Sequence, residues 1–474
     1  MIAGLRRESD WSAVRAVVVG IGTAGFSCAD ALAQLGARVI LLDAKDGDKL
    51  RERAEILDVI GVDVRLGYHG AVPDCDVLVV SPGLPPAHPW IVEALGRGIE
   101  VWGELELAWR LRPADGAAPW LVVTGTNGKT TTTLMLESML RAAGLRTVAA
   151  GNIGNSLVDV VMHDELDVIA VEVGAPQLPF LTSMSPEAAV CLNIADDHID
   201  HFGSFDAYVA AKARIYEHTQ VAVVYNVADE RTLQLAEEAD VVEGCRGIGF
   251  TLGIPGPSML GVVDGMLVDR AFIPDRAERA QELASVDDVR PNAPHNVANA
   301  LAAAALARAH GVSPAAIRDG LRAFVPAKHR IAEVATVDGI TYIDDSKATN
   351  AHAALTSLKA YPTIVWIAGG MAKGQDFDDL VREVSDRLRG VVLLGVDRQV
   401  IADALARHAP AVPTITVERT DTGAMDEVVA AARSLALAGD TVLLAPGCAS
   451  WDMFRDYTHR GDAFAESVRA LEAM

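Results

Sequence analysis

Residues 122–133 read VVTGTNGKTTTT, a spacing of Gly125, Gly128, Lys129 and Thr130 that can grip a phosphate group. Apolar Leu121, Val122 and Val123 bring the chain to the edge of a sheet, and the glycines let backbone N–H groups turn toward one anion. Lys129 adds a point charge, and the Thr130 hydroxyl stands where such loops ligate Mg²⁺. The loop is GxxGKT, shorter than the common GxxxxGK[ST]. A helix with an apolar stripe (Leu134, Leu136, Met139, Leu140) follows it. Together these residues read as a nucleoside triphosphate site.

Other strand ends carry chemistry too. Gly20-Ile21-Gly22-Thr23-Ala24-Gly25 is GxGxxG directly after an apolar run, and Asp43 closes the next strand, as in a dinucleotide fingerprint. Ser81, Pro82 and Gly83 follow DVLVV at the mouth of the same sheet. Three readings stay open: a nicotinamide dinucleotide, another ligand with two phosphates such as a UDP-sugar, or a turn that only joins strand to helix. Glu172 lies near the end of the apolar run DVIAVEV, where a carboxylate can face Mg²⁺ across the phosphate loop. His198 follows the strand expected over 190–194, either as a ligand or as an ordinary hydrogen-bonded histidine. Lys212 is expected in mid-helix, on an apolar stripe with Tyr208, Val209, Ile215 and Tyr216. It either snorkels to water or, as a buried neutral amine, reacts with CO₂ to give a metal-orienting carbamate.

These residues must be held by layered elements. A chain of 474 residues suggests about three domains. Apolar residues make up 50% and aromatics only 5%, so Ala, Val, Leu and Ile must fill the cores of a globular chain. No apolar run reaches membrane-spanning length, and LAAAALA at 301–307 reads as a short buried helix. The first residues lack the apolar core of a signal peptide, and five scattered cysteines read as reduced thiols in the cytoplasm. A net charge of −23 excludes a basic nucleic-acid surface and requires a local cluster of cations and metal ions around any phosphate. Strand-like and Ala/Leu-rich helical runs alternate throughout, which predicts α/β layering with mainly parallel sheets. The polar stretch LRPADGAAP at 111–119 reads as a linker or long surface loop, and a domain ends within FVPAKHR at 324–330. IVWIAGG, VVLLG and TVLLAPG supply strand ends for the last domain.

Taken in order, the motifs resemble those of the Mur ligases along nearly the whole chain. They are GIGTAG, Ser81-Pro82-Gly83, TGTNGKTT, GNIG (151–154), DDHIDH…AAK, HNVANALAA (295–303) and HR (329–330). DDSKATN (344–350), GGMAKGQDF (369–377) and PGCASWDMFRDYTHRG (446–461) complete the series. The resemblance implies three α/β domains: a Rossmann-like domain over 1–103, a central P-loop mononucleotide-binding ATPase-like domain over 104–327, and a C-terminal Rossmann-like domain over 328–474. It implies a cytoplasmic, monomeric ligase that binds neither nucleic acid nor membrane. Such a ligase uses ATP to add D-glutamate to UDP-N-acetylmuramoyl-L-alanine through an acyl phosphate, in cell-wall synthesis. A sister or folylpolyglutamate-type ligase with another amino acid, and a non-catalytic nucleotide-binding homologue, are the alternatives.

Residue by residue, the resemblance puts Gly22, Thr23, Asp43, Ser81 and Gly83 on the UDP end, with Asn152 and Gln177 on the sugar or its phosphates. Gly125, Thr126, Asn127, Gly128, Lys129, Thr130 and Thr131 would bind ATP. Asn299 and Arg330 would contact adenine and phosphate, and Asp345 the ribose. Thr130 and Glu172 would hold one Mg²⁺, and His198 with a carbamylated Lys212 a second. Lys347 and Thr349 would approach the reacting centre, Thr349 as a D-glutamate contact beside Lys373, Ser450 and Tyr457. Three departures stand out. The usual Glu-Leu-Ser-Ser-Phe-Gln run is EVGAPQ here, Ala24 replaces a threonine, and Trp451 and Tyr457 replace smaller or less polar residues.

Overall fold

Runs of Val, Leu and Ile covered on both faces need no polar alternation and form parallel strands. The computed structural model describes residues 2–163, 165–197, 199–326 and 328–472. Among these residues the strands gather into three sheets. The first contains β1 (Arg15–Val19), β2 (Arg38–Asp43), β3 (Asp63–Leu66), β4 (Val77–Val80) and β5 (Glu100–Gly103). Its order is β3-β2-β1-β4-β5 and every pairing is parallel. The order reverses between β1 and β4, so the loops leaving those two strands flank a crevice at the carboxyl edge.

The second sheet contains β6 (Trp120–Thr124), β7 (Thr147–Gly151), β8 (Val168–Glu172), β9 (Ala188–Cys191), β10 (Ala222–Asn226) and β11 (Arg246–Phe250). These pair in parallel in the order β11-β10-β9-β6-β8-β7. β12 (Met259–Val263) joins β11 in parallel, and β13 (Met266–Asp269) and β14 (Gln281–Ser285) extend the sheet antiparallel. That antiparallel extension is absent from the sequence reading. Its signal was the Asp264-Gly265 turn, both residues at positive φ as a two-residue hairpin demands. The run expected as a short helix is part of the 16-residue helix Pro294–Ala309. Alanine on every side lets that helix pack tightly all round, so it is buried in the core with Met139, Val190 and Ile317.

The third sheet contains β15 (Ala332–Val337), β16 (Ile340–Asp344), β17 (Ile364–Gly369), β18 (Leu388–Leu394), β19 (Thr414–Thr416) and β20 (Thr441–Leu444). Its order is β15-β16-β20-β17-β18-β19, parallel except for the β15–β16 hairpin.

The first two sheets lie in one compact unit, Met1–Asn292 with Asn296–Phe324, and the third lies in a second unit, Val325–Met474 with Ala293–His295. Within the first unit one core runs through both sheets, joining Val18 and Leu41 to Val122 and Val171. The helix Glu104–Arg110, directly after β5, fastens them. Glu104 accepts from the Ser156 hydroxyl (2.7 Å) and the Leu157 N–H (3.0 Å). The buried Glu106 carboxylate accepts from the N–H groups of Thr182 and Ser183, from both their hydroxyls, and from Arg110 Nε at 2.7 Å. Full hydrogen bonding is what makes such a buried charge tolerable.

Candidate active site

β6 ends at Thr124, and residues 125–128 turn before the helix Lys129–Ala142 begins. Gly128 has φ +84°, and a Cβ there would stand 2.5 Å from Asn299 Oδ1. Glycine therefore admits both the turn and the approach of Asn299. Lys129 Nζ donates to the carbonyls of Gly125 (2.8 Å) and Thr126 (2.9 Å), so the ammonium sits within the loop. Asn193 clamps the same loop. Its Oδ1 accepts from Asn127 N–H (2.8 Å), its Nδ2 donates to Asn127 O (3.1 Å), and its carbonyl accepts from Thr126 N–H. The hydroxyls of Thr126 and Tyr208 are 2.8 Å apart. Asn193 was missed from sequence, and Tyr208 was read only as an apolar neighbour. A polar residue two positions past the end of β9 was the available signal.

β8 runs beside β6 and delivers Glu172 to the loop. Glu172 Oε2 accepts from the Thr130 hydroxyl at 2.7 Å, and Oε1 accepts from Asn152 Nδ2 at 2.8 Å. Three residues singled out from separate motifs thus meet at one carboxylate. Gln177 is buried, its Oε1 accepting from Gly174 N–H at 2.8 Å. A Cβ at Gly174 would lie 2.9 Å from Asn152 Oδ1. The glycine in EVGAPQ therefore leaves room for the asparagine. Among the described residues no group of three or more His, Cys, Asp or Glu side chains could hold a metal alone. A carboxylate and a hydroxyl beside a phosphate loop suit Mg²⁺, which takes one or two carboxylates and completes its shell with phosphate oxygens and water. His198 lies outside the described residues.

Lys212 lies in the last turn of the helix Phe205–Ala213 and not in mid-helix, because the chain tightens into a 3₁₀ turn at Arg214–Tyr216. It is 0% exposed, which removes the snorkelling reading. Its Nζ lies 3.5 Å from Thr124 Oγ1 and 4.9 Å from the centroid of the Tyr208 ring. Burial pulls its pKa down to about 7, so a neutral amine is accessible at physiological pH.

In the first sheet Gly22 caps the helix Thr23–Gln34. Helix and strand approach so closely that a Cβ at Gly25 would sit 1.8 Å from Gly20 O. Asp43 braces this turn, Oδ2 accepting from Ile21 N–H and Oδ1 from Lys45 N–H, each at 2.9 Å. The Ser81 hydroxyl lies 3.4 Å from Gly20 O, across the crevice mouth that also carries Gly83.

The second unit gathers another set at the carboxyl ends of β16, β17 and β20. Met371 and Ala449 exchange backbone hydrogen bonds of 2.8 and 3.0 Å, which ties the Lys373 loop to the Ser450 loop. Gly447 N–H donates to Ala348 O, tying in the loop of Lys347 and Thr349. Lys347 Nζ stands 4.1 Å from the centroid of the Tyr457 ring, and Lys373 Nζ 4.2 Å from that of Trp451. Arg460 was named with its motif but given no role. Fully buried, it donates to Ser346 Oγ, Ser346 O and Cys448 O, bracing the same loops. Asp345 is buried beside Ser357, and burial lifts its pKa to about 6 despite that hydrogen bond and the charge of Arg330.

A phosphate loop with an acidic strand end, in a chain of three mainly parallel sheets, defines a nucleotide-dependent three-domain α/β architecture. Family models match in the same order. The MurD-like N-terminal domain covers residues 14–103, the Mur ligase middle domain 123–252, and the glutamate ligase domain of Mur ligases 329–448. The chain belongs to the Mur ligase family. It is 58% identical over 467 residues to a UDP-N-acetylmuramoylalanine–D-glutamate ligase of Streptomyces avermitilis, covering 98% of this chain and 100% of the relative. A protein of the same name from Streptomyces coelicolor is also 58% identical, with the same coverage. Among solved structures, MurF from Acinetobacter baumannii aligns over 96% of this chain and 93% of its own, with TM-score 0.59 at 18% identity, a likeness of fold.

Proposed function

We propose that this chain is an ATP-dependent ligase that joins D-glutamate to the L-alanyl carboxylate of UDP-N-acetylmuramoyl-L-alanine, as a cytoplasmic monomer in peptidoglycan synthesis. The observation that carries this reading is the meeting of Thr130, Glu172 and Asn152 beside the phosphate loop, in a chain 58% identical to relatives of that name. Residues 1–103 serve the UDP substrate, 104–327 ATP and 328–474 the amino acid.

A carboxylate is a poor acyl donor and needs activation. Attack of its oxygen on the γ-phosphorus breaks the bond to the β-γ bridging oxygen, giving an acyl phosphate and ADP. The D-glutamate amine then attacks the acyl carbon, loses a proton and expels phosphate. Lys129 neutralises phosphoryl charge, and Thr130 with Glu172 would hold one Mg²⁺, which would screen that charge. The neutral Lys212 amine would add to CO₂ and release a proton, and the resulting carbamate would, with His198, hold a second Mg²⁺. Asn299, Arg330 and Asp345 orient the nucleotide. Lys347 faces the reacting carboxyl, and Thr349, Lys373, Ser450 and Tyr457 hold D-glutamate.

The test is phosphate release by the purified chain given MgATP and UDP-N-acetylmuramoyl-L-alanine. D-glutamate should trigger it, and L-lysine, meso-diaminopimelate and L-glutamate should not. Release with one of those others transfers the chain to a sister activity; release with none removes the reading.

A further inference from the structure

We propose that a cavity at the base of the second sheet binds a small amphipathic anion, a phosphate or carboxylate borne on a short apolar body. The cavity measures about 500 Å³. Ile169 near the start of β8, Val161 and Met162 at the end of the helix Leu157–His163, and the loop around Arg112 line it. β6 and β8 run parallel, and the phosphate loop and Glu172 leave their opposite, carboxyl ends. The cavity is therefore separate from the site described above.

Its charge distinguishes it. In a chain of net charge −23, a cation that faces a cavity without a carboxylate partner is unusual. Arg146 on the lining is paired, with Asp167 at 2.8 Å and Glu165 at 3.6 Å. Arg7 and Arg112 pair with no carboxylate among the described residues. Arg7 donates to the carbonyls of Val161 (3.0 Å) and Met162 (2.9 Å), at the negative end of a helix. The Arg112 guanidinium carbon lies over the Trp109 ring, 3.0 Å from its centroid, and 5.7 Å from that of Trp120. Its one hydrogen bond to described residues runs from Nε to Trp109 O at 3.1 Å. The terminal N–H fork, the part that meets oxyanions in pairs, has no acceptor among the described residues. Burial and nearby Arg6 pull its pKa down to about 10, so it is charged at neutral pH and gains by meeting an anion. The acids on the lining, Asp115 and Glu165, are exposed at the rim.

The test is calorimetric titration of the full chain with phenylphosphate, benzoate and inorganic phosphate, while a non-hydrolysable MgATP analogue saturates the phosphate loop. Phenylphosphate or benzoate should bind saturably at one site, weakened about tenfold or more by Arg112→Gln, as for loss of a charge-assisted hydrogen bond. Affinity for the analogue should not change. Preference between those two probes assigns the site to phosphoesters or to carboxylates. Equal affinity for inorganic phosphate and phenylphosphate overturns the apolar half of the proposal. Undiminished binding by the Arg112→Gln protein, or no saturation by any probe, overturns the whole. If Arg112→Gln does not fold, Arg7→Gln is read in its place with the same outcomes.

Discussion

At the residue scale the proposed function leans on two lysines, and each is controlled by its surroundings. Lys212 has a folded pKa of about 7 against an ordinary 10.5. Between those values the unfolded chain holds one proton more than the folded one, so this group makes stability rise with pH across that window. Below about 7 the folded amine protonates and can no longer add CO₂. Turnover should therefore fall as pH drops through 7, and added bicarbonate should shift the fall to lower pH. Lys212→Ala should abolish phosphate release, and a short carboxylic acid should restore part of it; undiminished turnover in that variant would discard the carbamate. Lys373, by contrast, is exposed and held by one face of Trp451, itself 64% exposed. At an exposed site a cation–π contact is worth ~0.5–1 kcal/mol, so Trp451→Leu should raise KM for D-glutamate about two- to fivefold with kcat little changed. Trp451→Phe should recover most of that loss.

At the scale of elements, the short helix after β5 deserves a mutational test. Glu106 collects five hydrogen bonds in a fully buried position, and Arg110 is the partner that balances its charge. Glu106→Ala removes the buried carboxylate from that guanidinium and from the donors of Thr182 and Ser183. The expected cost is about 3–5 kcal/mol, visible as a lowered thermal midpoint, whereas a change at exposed Arg51 should be nearly silent. The strand ends that carry phosphate chemistry were legible in sequence because glycine, lysine and apolar runs obey local rules. Thr130 and Glu172 meet because β8 ends at Glu172 beside β6, whose phosphate loop leads into the helix that carries Thr130. The role of Arg460 was not legible: it acts through backbone carbonyls of residues far off in sequence, and nothing local marks such a contact. The β12–β14 extension was missed for a different reason. Its strands are short and weakly alternating, and its turn signal was present but outweighed by the α/β pattern.

At the scale of the molecule, the sheets are not equally independent. The first two share one hydrophobic core and the clasp of Glu104 and Glu106, while the third lies in a unit of its own. Calorimetry should accordingly show two unfolding transitions and not three. A non-hydrolysable MgATP analogue should raise the transition of the larger unit in proportion to the logarithm of its concentration. Three separable transitions would show that the shared core contributes little cooperativity.

The placement of Lys129 has one more consequence. Its ammonium already rests on the carbonyls of Gly125 and Thr126, while Asn193 fixes the intervening peptide from the neighbouring strand. On the proposed reading an arriving nucleotide would find a preassembled cradle and exchange neutral acceptors for anionic ones, with little backbone rearrangement. Substitutions at Asn193, remote from the reacting carboxyl, should act chiefly on how long ATP resides there, by loosening a geometry that folding has set in advance.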